Sequence, residues 1–174
     1  MAGRIGLPDI AALPDPLLQY QAELFVPTIP GSGSGTGLKT RLKTFAIPGE
    51  EKEDVEVTLH GVTLKYAGRT TYTHTMSLTF IETRDIYVMT QLKAWLAYSR
   101  NILQTQGTYK SQYSTTAYIS LYDDTETVVQ TIKIFGSFMQ SMTEVNLDGS
   151  VSSPVEVTAQ LYYDYTQFFQ GQVV

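Results

Sequence analysis

The chain has 174 residues, enough for one core of ordinary size, and no cysteine, which excludes a disulfide framework, thiol chemistry and a cysteine-ligated metal. Twelve basic against 17 acidic residues give a net charge of −5, which argues against a surface that grips nucleic acid through its phosphates. Charged residues make up 17% of the chain, below the quarter or so usual in soluble domains, and 12 Tyr and 7 Phe stand beside many Thr and Val, so a β-rich fold partly covered by partners is expected.

Residues 1–17 carry Pro8, Pro14 and Pro16 among the scattered apolar residues Ile5, Leu7, Ile10 and Leu13, and read as an arm. The prolines interrupt any signal-peptide-like run, and no segment approaches the ~18 apolar residues of a membrane helix, so a soluble chain without membrane insertion is expected. The domain proper is placed at residues 18–168, with residues 169–174 as a C-terminal tail. Period-two alternation predicts a first strand over residues 18–26, and residues 28–41, with glycine at every second position from Gly31 to Gly37, are expected to be a flexible Gly/Ser loop.

A short strand is predicted over residues 42–47, then a solvated turn over the charged run 50–54, then renewed alternation at Val55, Val57 and Leu59. His60-Gly61 is expected to bend or bulge the chain before Val62 to Tyr66, and Ala67-Gly68 to mark another turn. Over residues 70–82 a long strand puts Tyr72, His74, Met76, Leu78 and Phe80 on one face and small uncharged Thr and Ser on the other. One helix is predicted from about residue 86 to 103, with Asp85 as its N-cap and Gly107 as its stop. Strands over 113–122, 127–139 and 155–165 complete the set, the first two joined by a turn at Asp123-Asp124. The fold class is mainly β with one α-helix: an antiparallel β-sandwich or barrel with the helix packed against it.

Chemistry-bearing patterns are sparse. His60 and His74 have no metal-ligand spacing, and Asp123, Asp124 and Glu126 read as a turn whose carboxylates bond local backbone. The glycine loop matches neither phosphate-cradle spacing and contains no nucleophile elbow. No nucleophile and base can be paired, so no catalytic, cofactor or metal residue is named and a non-enzyme is expected.

Three stretches, in order, resemble the tail tube family of contractile-tailed bacteriophages, which is related to pyocin, extracellular injection system and type VI secretion tubes. They are Leu42 to Gly49 (LKTFAIPG), Val62 to Thr70 (VTLKYAGRT) leading through the Thr-rich strand to the helix with Leu92 and Trp95, and Thr131 to Phe138 (TIKIFGSF) followed by Leu147 to Ser150 (LDGS) and Val155 to Tyr165 (VEVTAQLYYDY). One departure is at Phe138-Met139-Gln140, where relatives commonly have a proline after the aromatic, and the long Gly/Ser loop is a second.

The resemblance implies a structural virion protein, assembled in host cytoplasm, whose sheets join between subunits into hexameric rings that stack helically as an inner tail tube for DNA. Implied partners are further copies of itself, the tail sheath, baseplate tube-initiator and tail terminator proteins, and, transiently in the lumen, the tape measure protein and DNA. On this basis Glu56, Thr58, Thr127 and Thr131 are candidate lumen-facing residues. Ile5, Leu7, Ile10, Leu13, Gly33, Gly35 and Leu38 are candidate inter-ring contacts, and Gln91, Lys93 and Arg100 are candidates for facing the sheath. The competing readings are a baseplate tube-initiator of the same fold and, from another class, a carbohydrate-binding β-sandwich of a phage fibre.

Overall fold

Alternating apolar side chains organise about half of this chain into antiparallel strands. The computed structural model describes residues 17–100, 107–148, 150 and 152–171. In chain order the elements are β1 (Ala22–Phe25), β2 (Thr28–Ile29), β3 (Gly33–Ser34), α1 (Thr36–Lys39), β4 (Leu42–Phe45), β5 (Glu50–Leu59), β6 (Val62–Tyr72) and β7 (Thr75–Ile81). Then follow α2 (Tyr87–Ser99), α3 (Lys110–Tyr113), β8 (Thr115–Tyr122), β9 (Val128–Met142), β10 (Glu156–Tyr162) and β11 (Tyr165–Gln170).

The main sheet runs β1-β8-β9-β10-β7-β4, with β11 also on β9. Its long strand β9 serves two layers: the part up to Ser137 pairs with β8, and as far as Phe135 with β11 as well, while the part from Phe138 onward pairs with β10. The corner between them is Gly136, at φ +65°, where a Cβ would stand 2.0 Å from Asp164 Oδ2. Only glycine fits there, so one residue sets the bend that folds the sheet over its own core. Inward positions Ile119, Ile132, Ile134, Leu78, Phe80, Val157, Ala159 and Leu161 are all buried.

Helix α2 closes the open side of this sandwich. Its buried face is Val88, Leu92 and Trp95, and the Trp95 indole N–H donates to the Tyr113 carbonyl at 3.0 Å, satisfying the one polar atom of that side chain. The expected β-sandwich with one packed helix is therefore what forms. The two ends of the sheet path, β1 and β4, do not pair, and a cleft of about 1270 Å³ separates them, lined by Leu18, Leu24, Leu42, Phe45 and Leu121 among others.

Several boundaries differ from expectation for identifiable reasons. The helix is not capped by Asp85, which binds Arg41 and Thr83; Glu82 instead accepts the N–H groups of Val88 (3.0 Å) and Met89 (2.8 Å). A carboxylate there also complements the positive end of the helix. Ile86 enters the helix at φ +53°, and α2 ends at Ser99, well before Gly107, which bridges back to Arg100. The long strand expected over 70–82 breaks at His74, whose φ is +57°.

Likewise the last strand divides at Tyr163-Asp164 into β10 and β11, and β11 continues into the stretch set aside as a tail. The stretch expected to be a flexible loop is folded as β2, β3 and α1, because Ile29 and Leu38 are core residues that anchor it. Gly35 within it is buried, and a Cβ there would lie 1.8 Å from the Val26 carbonyl oxygen. Ala67-Gly68 is not a turn but an irregularity within β6, opposite Lys52 to Asp54 of β5.

Candidate functional site

One element of this molecule has no core of its own. Strands β5 and β6 form a separate two-stranded ribbon, joined by a turn at His60 (φ +51°) and Gly61 (φ +81°), and among the described residues pair with no other strand. Two positive φ values at a two-residue turn match the twist of the flanking strands. The charged run 50–54, expected as a solvated turn, is the first half of β5. Nothing in the ribbon demands burial, so charges are tolerated in the strand.

Register sorts the ribbon into two chemically distinct faces. Val55 lies opposite Tyr66, Val57 opposite Leu64, and Leu59 opposite Val62. All six share one face, and each retains between 37% and 61% exposure. The intervening pairs, Glu56 with Lys65 and Thr58 with Thr63, make the other face polar. There Lys65 Nζ reaches Asp54 at 3.3 Å and Glu56 at 3.2 Å, and the Thr58 and Thr63 hydroxyls lie 3.0 Å apart. With every partner more than half exposed, these ion pairs add little to stability.

A lone two-stranded ribbon is at best marginally stable in water. Six half-exposed apolar side chains on one face stand to gain on the order of 5 kcal/mol if that face is covered. The ribbon also continues into the sheet through β4 before it and β7 after it, which pair with each other. It is thus a projecting extension of the body.

The lumen-facing candidates do not converge. Glu56 and Thr58 share the ribbon's exposed polar face, whereas Thr127 is exposed in the β8–β9 turn. Thr131 is only 3% exposed, with its hydroxyl donating to the Gly171 carbonyl at 2.9 Å, so it cannot face a channel. Its neighbour β11 was not foreseen, and the C-terminal end of that strand covers the position.

Of the inter-ring candidates, Ile5, Leu7, Ile10 and Leu13 lie outside the described residues. Gly33 is exposed, but Gly35 and Leu38 are buried within their own chain and offer no contact surface. Along α2, Lys93 is exposed, Arg100 is exposed just past the helix end, and Gln91 is half-buried, accepting a hydrogen bond from the Ser32 hydroxyl.

The titratable groups serve local structure. Asp123 accepts from the Thr125 hydroxyl and from the N–H groups of Thr125 and Thr127, and these bonds, led by the Thr125 hydroxyl, hold its carboxyl below the usual value. Thr83 does the same for Asp85, assisted by Arg41, and Ser150 for Asp148. Beside the β1–β4 cleft the Tyr122 hydroxyl donates to Glu23 at 2.8 Å, and burial, then this carboxylate, pushes the phenol up. Among the described residues no group of three or more His, Asp or Glu is gathered to hold a metal ion, and no helix is long and apolar enough to cross a membrane.

A family model described as "Phage tail tube protein" matches residues 14–168. No curated protein matches the sequence. Among solved structures, the tube-terminating cap of the anti-feeding prophage is similar with a TM-score of 0.67 at 14% identity, over 92% of this chain and 95% of that one. The sheath/tube terminator of PVC, an extracellular contractile injection system, gives 0.66 at 18% identity, over 91% and 99%. The SPP1 tail tube gives 0.53 at 13% identity, over 91% and 81%. At these identities the structures speak for the fold, and the family match speaks for the lineage.

Proposed function

Since this chain belongs to the phage tail tube protein family, we propose that it is the repeating subunit of an inner tail tube, a structural protein whose hexameric rings stack around a channel through which DNA passes. The observation that supports this reading is the ribbon: six exposed apolar side chains aligned on one face of a projecting β-hairpin, with no cover among the described residues. A second copy of the chain is the partner a repeating assembly supplies at every position. Docking the ribbon's apolar face on the neighbouring copy removes that surface from water and stabilises a hairpin that is marginal alone.

Other proposed partners follow from the same reading. The exposed Lys93 and Arg100, on and just past α2, are available to a surrounding sheath, and the ends of the tube to initiator and terminator proteins. The assembled particle is a virion tail or a related injection device. A tube-ending role is the second reading, because the same fold serves it; it predicts single rings that do not stack.

The test is electron microscopy of the purified protein with and without Leu64→Lys. Long hollow tubes from the wild-type chain and none from the variant, with unchanged circular dichroism, support the proposal. Tubes of normal length from the variant contradict it, and isolated rings from the wild-type chain favour the tube-ending role.

A further inference from the structure

The cleft between β1 and β4 lies directly over the core. Leu24 and Leu42 line it, and the same two side chains bound a gap of about 10 Å³ among Leu78, Phe80 and Trp95. Its mouth is apolar as well: Leu17, Leu18, Tyr20 and Ile47 line it and are exposed, Tyr20 at 79%. Exposed apolar surface that runs on into the core marks a place where something docks. The charges along the walls are mostly matched within the chain. Lys39 pairs with Glu23 at 2.8 Å and Lys43 with Glu156, Asp124 accepts from the Gln21 amide, and Asp123 is engaged in its own turn. The cleft therefore selects an occupant for apolar side chains rather than for charge.

A polar clamp fixes how the chain enters β1. The Gln21 N–H donates to the Leu18 carbonyl at 3.0 Å and closes a tight turn. The Gln21 side chain, 8% exposed, accepts from the Leu18 N–H at 2.7 Å and donates to Asp124. A turn of this kind reverses the chain. Leu17 and Leu18, the residues that lead into it, are part of the cleft lining, so the chain comes to β1 by way of the cleft itself.

Sixteen residues precede Leu17, and they carry Ile5, Leu7, Ile10 and Leu13 with only three charged side chains, Arg4, Asp9 and Asp15. Pro8, Pro14 and Pro16 remove backbone donors and stand against a helix or a full ladder strand through them, so these apolar residues need a surface to cover them. The strands beside the cleft are four residues each, about 13 Å long. Sixteen extended residues reach up to about 50 Å, several times that length. A segment tethered at the mouth is held there at an effective concentration on the order of millimolar, which a separate copy does not match in dilute solution.

We propose that residues 5–16 lie in the β1–β4 cleft of their own chain, with Ile10 and Leu13 against Leu42, Phe45 and Ile47. This assigns the arm to its own subunit rather than to a contact between rings, and it stands whether or not the chain forms tubes. Docked there, the arm also covers the outer edges of β1 and β4, which among the described residues have no strand partner. Covering an edge is one of the ways in which β proteins avoid indiscriminate pairing. An external segment that enters the cleft has to displace this cover first.

The natural chain has no cysteine, so introduced thiols report cleanly. In the full-length Ile10→Cys variant the thiol is expected to react with a small maleimide at least about tenfold more slowly than in the same protein unfolded in urea. Adding Tyr20→Lys and Ile47→Lys, both at exposed positions of the cleft and with folding checked by circular dichroism, is expected to restore the unfolded rate. An Ile10→Cys thiol that already reacts at the unfolded rate overturns the docking, as does protection that survives the two lysines. The Ile10→Cys/Ile47→Cys pair separates the chain's own arm from a neighbour's. Oxidation is expected to leave a monomer on denaturing electrophoresis with the two cysteine peptides linked to each other. Covalent multimers in its place give the cleft to another copy and overturn the proposal.

Discussion

The sandwich body and the β5–β6 ribbon are built from the same alternating pattern yet solve opposite problems. In the body, alternate side chains such as Met76, Leu78 and Phe80 are buried against α2 and the facing strands. In the ribbon, Val55, Val57 and Leu59 alternate just as regularly but pair with Tyr66, Leu64 and Val62 across one hairpin and stay exposed. Body residues therefore carry the stability of the folded chain, and ribbon residues carry surface meant for something else. Alternation states that a face will be covered, not which molecule covers it.

Breaking the body should unfold the chain. Trp95 is 1% exposed and its indole N–H is hydrogen-bonded, so Trp95→Ala is expected to cost about 3–5 kcal/mol in denaturant unfolding. A smaller loss, about 2 kcal/mol, is expected from Gly136→Ala, which meets both the positive φ and the Asp164 carboxylate. The double variant Gly136→Ala/Asp164→Ala relieves the collision but not the backbone strain, and should recover part of that loss in the same measurement.

Legibility from sequence followed the same division. Strand positions in the body were readable because burial enforces the period, and the helix because Leu92 and Trp95 recur on one face. The small polar face of β7 was equally visible in Thr75, Ser77 and Thr79. In the ribbon the alternation at Val55, Val57 and Leu59 and the break at His60-Gly61 before Val62 are legible, whereas the charged start reads as a turn because Glu50 to Asp54 lack any pattern that burial would impose. The loop at residues 28–41 was misjudged because its glycines masked two anchors, Ile29 and Leu38. Thr131 looked exposed only while β11 was unseen.

Finer effects sharpen the picture of the body. Glu82→Ala removes the carboxylate that caps α2 and is expected to lower stability by about 1 kcal/mol, read by thermal or denaturant unfolding. The Asp123 turn should give the smallest change, visible only as a pH dependence. Its folded-state value lies below the usual one, so its contribution is present above the ordinary carboxylate range and is lost as pH falls through the folded value. Comparing Asp123→Asn with the wild-type chain from neutral pH to about pH 3 should show a shallower acid slope in the variant.

The central claim is that the ribbon's apolar face exists for another copy of the chain. Its most direct test is a concentration series of the wild-type protein and the Val57→Lys variant, followed side by side by sedimentation and negative-stain electron microscopy. The account predicts hollow tubes of uniform bore from the wild type and a folded, non-assembling variant with unfolding stability within about 0.5 kcal/mol of the wild type. A wild-type chain that stays monomeric at every concentration, or a variant that assembles as well as the wild type, would contradict it.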